Sequence, residues 1–208
     1  MAAATITVLN SRDAGEFAIK TTWDNSPVNH DAVRITLSAD PKGCRIDVVA
    51  PFFDSPPAPS VPAGQPCPEL WEYEVVETFF LNDREQYLEV ELCPHGQHLV
   101  LLLNGRRKMV QDELPLEFKS QVVGSEWHGS AVVPFSYLPP NVAKFNAFAI
   151  HGAGEGRVYE ALFPALQQHS SPDFHRLEYF QPINLGLVSS SLTSSVPSEL
   201  WNKYPPVV

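Results

Sequence analysis

The residues with the most chemistry to offer are carboxylates set among apolar neighbours. Glu77 shares strand parity with Tyr73, Val75, Phe79 and Leu81, which places an acid on an apolar face. A buried carboxylate is costly unless something hydrogen-bonds, pairs with or ligates it. Two readings follow for Glu77 and for Glu74 just before it. They anchor a sugar hydroxyl or a cation, or they serve the fold through an internal partner. The apolar parity of Glu77 favours the second and calls for a partner such as His151, His175 or a bound ion. Glu89 and Glu91 form an acidic ladder with Glu72 and Glu74 on the preceding strand. Carboxyl pairs about 5–5.5 Å apart suit retaining glycoside hydrolysis, and pairs about 6.5–9.5 Å apart suit inverting hydrolysis. Oxygen clusters also hold Ca²⁺. An outward polar face is nevertheless the ordinary state of an antiparallel sheet, and that is the expectation for Glu89 and Glu91.

Other constellations carry less. Cys93, His95 and His98 have donor types that suit zinc, but no fourth ligand is marked. The trio is expected to be an incidental feature of a hairpin, so no metal site is assigned. Trp23, Trp71, Trp127 and Trp201 offer apolar faces on which a sugar ring can stack, or they fill a core. Trp127 is expected in the core. Trp71, at the exit of a proline-rich loop, is expected to be partly exposed, and Trp23 is next. No G-x-S-x-G elbow, P-loop or G-x-G-x-x-G turn is present.

The elements that must position these residues read as strands. Residues 70–103 divide into Trp71–Leu81, Tyr87–Cys93 and His98–Leu103, with short turns between them. In the middle strand Leu88, Val90 and Leu92 alternate with Glu89 and Glu91, so one face should meet a core and the other should be polar. Before this segment, residues 16–23, 32–37 and 44–49 read as three further strands. Residues 54–68 carry six prolines, a stiff excursion and not a floppy linker. After it, Asn104-Gly105 signals a hairpin. Strand-like pieces follow at 106–111, 116–123, 127–133, 144–151, 157–163 and 181–187, with a single helical turn at 135–138. About ten short antiparallel strands with little room for helix predict an all-β sandwich, jelly-roll-like. The expected organisation is a weakly ordered lead-in over 1–15, one domain over 16–188 and a Ser-rich tail over 189–208. Trp201 in that tail is expected to pin the end back onto the domain.

The chain has 208 residues and a net charge of −10, with 44% hydrophobic and 18% charged residues. One domain with an ample core is expected. The charge argues against nucleic acid and against an anionic membrane surface as partners. The basic run Gly105–Lys108 reads as a solvated turn. Cys44, Cys67 and Cys93 are sparse, odd in number and without CxxC spacing, which predicts reduced thiols and an intracellular, cytoplasmic setting. No secretory signal and no apolar run of membrane-spanning length are visible in the sequence.

Five blocks, in order, resemble family 9 carbohydrate-binding modules and related DOMON-type sandwich domains. They are LWEYEVVETFFL, YLEVELCPHG, WHGSAVVPFSYL, FNAFAIH and DFHRLEYF. The family pattern is matched by Trp71, Glu74 and Glu77, by Pro94 and Gly96, by Trp127, Pro134 and Leu138, by Asn146, and by Phe174, His175 and Phe180. The match covers roughly residues 20–187. Ser130, Ala149, Leu177 and Gln181 depart from it, standing where the family has Glu, Arg, Pro and Gly. Around ELCPHGQHLVLLL and FAIHG the chain also resembles a family encoded by an open reading frame of human chromosome 4, a likeness that carries no activity over. The carbohydrate-binding resemblance implies non-catalytic binding of a sugar or other small polar ligand. Trp71 and Trp23 would be the stacking platforms, and Glu74, Glu77, Asn146 and His151 the polar contacts. The alternatives are a carbohydrate-active hydrolase or isomerase using paired glutamates, and a protein-interaction module whose sugar site has decayed. No cofactor is called for, and Ca²⁺ is the one ion an oxygen cluster here would take.

Overall fold

A computed structural model of the chain describes residues 14–165 and 169–205. The expected lead-in lies almost wholly outside the described residues, whose first strand already begins at Ala14. In chain order the strands are β1 (Ala14–Ile19), β2 (Thr21–Thr22), β3 (Val33–Asp40), β4 (Gly43–Pro51), β5 (Val75–Asn82), β6 (Gln86–Leu92) and β7 (His98–Asn104). They continue with β8 (Met109–Gln111), β9 (Glu117–Val123), β10 (Glu126–Pro134), β11 (Val142–His151), β12 (Val158–Ala161) and β13 (Gln181–Pro182). The helical pieces among them are short 3-10 turns.

The strands form an antiparallel sandwich. One sheet has the order β1-β3-β4-β10-β9. The other runs β2-β12-β11-β5-β6-β7-β8, with β13 paired to β11. The segment read as one first strand breaks at Lys20, and its two halves join opposite sheets. The expected last strand at 181–187 holds only for Gln181–Pro182. A 3-10 turn at Leu185–Leu187 follows, opened by Asn184, whose side chain accepts the Gly186 N–H. Such local bonding competes with a ladder.

Between the sheets lies a core of alternating side chains. Ile35, Leu37, Ile46 and Val48 face Phe80, Leu88, Val90, Leu102 and Phe145, with Trp127 buried among them. Trp201 is buried there too, and its indole N–H donates to the Tyr137 carbonyl at 2.9 Å. Gly43 marks the tightest approach between neighbouring strands. A Cβ there would lie 1.8 Å from the Val133 carbonyl oxygen. Gly43→Ala is therefore expected to lower stability by about 1–3 kcal/mol through overpacking, measured as a shifted urea midpoint at unchanged slope.

The outer face of the second sheet departs from expectation, because it is covered too. Every residue of β5, β6 and β7 is buried. Phe79, Leu81, Tyr87, Leu99, Leu101, Leu103, Phe148 and Ile150 build a second apolar cluster on that face. Cys67 and Leu70 from the proline loop and Leu177 and Phe180 from the chain's last third cap it. Glu89 and Glu91 point into this cluster and are 3% and 0% exposed, so the solvated acidic face read from the sequence is wrong. The reason is in β7. Leu99–Leu103 is apolar at both parities, the mark of a strand buried on both sides.

Candidate functional site

Two covers hold the outer cluster in place. The first is the proline loop. Cys67 donates its N–H to the His98 carbonyl at 2.9 Å, and Gly64 donates to Gly96 at 2.8 Å. The Gln97 amide donates to the Val61 carbonyl at 2.7 Å. The loop ends in a 3-10 turn over Leu70–Glu72, not in the strand read from Trp71 onward. Leu70 points in and Trp71 points out, 37% exposed. The Arg157 guanidinium donates to the Trp71 and Glu72 carbonyls and lies 5.4 Å from the Tyr159 ring centre, so the backbone beneath the Trp71 indole is fixed.

The second cover is the segment 169–180, held by the Asn104–Lys108 turn. Arg107 pairs with Asp173 at 2.6 Å and Arg106 with Glu178 at 2.5 Å. The Tyr87 hydroxyl is 2.8 Å from His175 Nδ1 and accepts the Arg107 N–H at 3.0 Å. The basic run read as a solvated turn is thus a latch. Its partner Asp173 is 66 positions away in sequence.

Between the covers opens a cavity of about 370 Å³. Trp71, Leu101, Leu103, Met109, Ile150, Tyr159 and Phe174 form its apolar lining, and Glu77, Glu89, Arg107, Asp173 and His175 its polar one. Size and composition fall in the range of small-molecule sites. Glu77 and Glu89 share the face because β5 and β6 pair Glu77 with Glu91 and Phe79 with Glu89. Glu77 and Glu89 are therefore diagonal neighbours, a spacing of about 7–8 Å in an antiparallel pair.

Burial dominates the electrostatics. It pushes the Glu77 carboxyl up to about 8 against a weak pull from Arg157. Glu89 and Glu91 rise well above the carboxylate range, first through burial and then through the neighbouring acids. One Glu89 oxygen and both Glu91 oxygens have no hydrogen-bond partner. Burial also drops His175 to about 4, with Arg107 adding to the shift. Near neutral pH Glu77 and Glu89 are thus carboxylic acids and His175 a neutral imidazole, beside the ion pair of Arg107 with Asp173, whose carboxyl is held below the usual range. Such acids can both donate and accept hydrogen bonds.

The structure divides the six residues read from the sequence. Trp71 and Glu77 line this cavity together. Among the described residues only the charge of Arg157 acts favourably on the Glu77 carboxylate, while the partners expected for it are engaged elsewhere: His151 with Glu160 and His175 with Tyr87. Trp23 lies under Arg176 and, with Asn146, borders a separate cleft of about 10 Å³, too small for a sugar. Asn146 is fully buried. Its amide nitrogen donates to the Phe163 carbonyl and its oxygen accepts the Phe163 N–H, so it serves as a backbone bracket. Glu74 is 3% exposed and accepts the Phe53 and Ser55 N–H groups, and burial raises its carboxyl. These four do not join Trp71 and Glu77. Of the other lining residues, Glu89 was expected on a solvated face, Arg107 in a solvated turn and His175 as a partner of Glu77, while Tyr159 and Asp173 were not singled out. The apolar run of β7 signalled the burial of Glu89. Cys93 is buried, and its thiol is pushed up to about 12. His98 is buried, and His95 faces Asp54 at 3.2 Å. No helix among the described residues is long and apolar enough to cross a membrane.

No family model matches the chain. Among solved structures it is similar to a candidate carbohydrate-binding protein from Bacteroides uniformis, at 16% identity and TM-score 0.58, over 81% of this chain and 84% of that one. That likeness supports the sandwich fold. A family 9 carbohydrate-binding module from Caldicellulosiruptor kristjanssonii in complex with cellotriose aligns over 94% of this chain and 88% of its own, at 12% identity and TM-score 0.48. In sequence the chain is 53% identical over 191 residues to the human UPF0462 protein C4orf33, covering 89% of this chain and 96% of the human one. The Danio rerio homologue is 50% identical over 192 residues, 90% of this chain and 98% of its own length. At that identity, over nearly the full length of both chains, this protein belongs to the UPF0462 family of C4orf33 proteins.

Proposed function

We propose that the cavity behind Trp71 binds a small neutral polyol, a sugar or a close relative. The observation that carries this reading is the partly exposed Trp71 indole on a cavity whose lining includes Glu77 and Glu89, the latter with an unbonded oxygen. Stacking on the indole supplies affinity, and protonated carboxyls with Arg107 and Asp173 supply orientation. A neutral ligand suits acids that burial keeps neutral. A cation would first have to strip their protons. The Bacteroides uniformis fold relative, described as a candidate carbohydrate-binding protein, supports the same class of ligand.

The test is calorimetric titration and a glycan-array screen of the full chain beside Trp71→Ala. Removing a central aromatic anchor is expected to weaken binding at least about tenfold, on the scale of about 2 kcal/mol. If no sugar or polyol binds the wild-type chain, the reading fails.

A second reading is favoured by one observation, the presence of Glu77 and Glu89 in a single cavity with one carboxyl raised to about 8. Such a group suits general acid work near neutrality. In this reading the site performs hydrolysis or isomerisation of a sugar. Proton NMR of added sugars over hours separates the two, because binding alone produces no new sugar species whereas turnover gives product resonances that grow with time.

A further inference from the structure

A second cluster of functional side chains stands apart from the cavity lining. Glu160 on β12 is fully buried, and its Oε1 lies 2.9 Å from His151 Nε2 and 3.0 Å from His30 Nε2. His151 ends β11, and the pairing of Ala149 with Glu160 puts both on one face of neighbouring strands. His30 arrives from the turn before β3. The three ligand atoms lie within 4.8 Å of one another.

The geometry of this cluster aims both Nε2 atoms at one carboxylate oxygen. His30 Nδ1 is 2.9 Å from the Asp31 carbonyl, which can only accept, so Nδ1 carries a proton. In a neutral ring, Nε2 then holds a lone pair aimed at the carboxylate 3.0 Å away. At that distance a cation, either a proton or a metal ion, has to lie between the two lone pairs. The other Glu160 oxygen is also buried and has no partner. The ring of His151 is fixed by Phe53, stacked on it at 3.7 Å and 7°. Glu74 lies close enough to act on His151 electrostatically.

We propose that His30, His151 and Glu160 bind a divalent transition-metal ion of the zinc class. Two imidazoles and a carboxylate are a zinc donor set. Tetrahedral bonds of about 2.0–2.1 Å set ligand atoms about 3.3 Å apart, near the 3.0 and 2.9 Å of the two histidine–Glu160 spacings. The Asp31 carbonyl holds His30 in the tautomer that leaves Nε2 free, as outer partners of metal-bound histidines do. Calcium is disfavoured because it takes six to eight oxygens. The histidine side chains are 15% and 12% exposed, so the ion has a route in and water can fill the fourth position. The ion would tie the β2–β3 turn to β11 and β12.

The test is titration of the chelator-stripped full chain with Zn²⁺ by calorimetry and with Co²⁺ by visible absorption, together with thermal melting. One Zn²⁺ per chain, a tetrahedral Co²⁺ spectrum and a raised midpoint are expected. His30→Gln, in a turn and partly exposed, and Glu160→Gln are each expected to weaken Zn²⁺ at least about tenfold, the scale of losing even an outer-shell partner. Circular dichroism identifies a variant that fails to fold, and His30→Gln keeps the test decisive if Glu160→Gln does. Absence of stoichiometric Zn²⁺ binding by the wild-type chain overturns the proposal. So does unchanged affinity in His30→Gln, which would place the ion elsewhere. So does an NMR titration showing His30 as an imidazolium at neutral pH in the presence of equimolar Zn²⁺.

Discussion

Raising the pH from 6.5 to 8 is expected to destabilise this protein, and Glu77→Gln is expected to remove part of that loss. The Glu77 carboxyl goes from an ordinary 4.5 to about 8 on folding because burial disfavours its charge. A raised folded value means the fold prefers the protonated form. The stability linked to that form is complete below 4.5 and is lost as the pH climbs through about 8. The slope is about 1.4 kcal/mol per pH unit for each carboxyl still neutral. Glu77 alone thus contributes a loss of about 2 kcal/mol between pH 6.5 and 8. Glu89 and Glu91 are shifted in the same direction and add to it. His175 works the other way at lower pH. Its imidazole is held down to about 4, so stability rises between about 4 and 6.5 as the unfolded chain's histidine loses its proton. The window above 6.5 is free of that offset. Glutamine keeps the shape of the neutral acid and cannot ionise. Glu77→Gln is therefore expected to exceed the wild-type chain by about 2–4 kcal/mol at pH 8 and to match it within about 1 kcal/mol at pH 5. Urea midpoints at the two pH values measure this. A flat wild-type profile above pH 6.5 would show that the three carboxyls are not held neutral.

The same three glutamates show how far the sequence could be read. The parity of Glu77 with Phe79 and Leu81 was visible, and its burial followed. Glu89 and Glu91 alternate with Leu88, Val90 and Leu92 in the pattern of a half-buried strand, and that pattern misled. Binary alternation tells which residues share a face, not whether a later segment will cover it. The cover comes from Cys67 and Leu70 on one side and Leu177 and Phe180 on the other, all beyond the reach of a local pattern. The contrary sign was one strand away, in the unbroken Leu99–Leu103 run. Arg107 was legible as a turn residue, φ +57° after Gly105 at +98°, but its partner Asp173 was not. His30 lies in the stretch WDNSPVNHD at residues 23–31, whose Asp, Asn, Ser and Pro signal a turn and nothing more. Its relation to His151 and Glu160 exists only once β11 and β12 pair. Asn146 shows the converse. The family resemblance suggested a sugar contact, and the structure uses both ends of its amide to bracket Phe163.

Phe148→Ala is expected to cost about 3–5 kcal/mol, as much as a deletion between the two sheets. If the outer cluster were a surface ornament, truncating one of its rings would cost under about 1 kcal/mol. Phe148 is instead 5% exposed. It stacks on Phe174 at 4.0 Å and 10° and meets Phe79 edge-on at 5.3 Å. Phe79 in turn touches Tyr87, His175 and Phe180. Removing the Phe148 ring leaves a void under the 169–180 segment. The remaining tethers of that segment include the Arg106 and Arg107 ion pairs, which are half exposed and individually weak. The variant should therefore show two linked changes. Its urea midpoint should fall, and limited proteolysis should cut within residues 172–180 under native conditions, where the wild-type chain resists. Phe174 lines the cavity and Phe148 packs behind it, so the sugar binding proposed for that cavity should weaken in the same variant without any change at Trp71, Glu77 or Glu89. Phe145→Ala, in the core between the sheets, is the contrast. It should lower the midpoint to a similar degree without opening the 172–180 segment to protease. If both variants were cut alike, the cover would not be a separate stabilising layer, and the cavity beneath it would owe its shape to the sandwich alone.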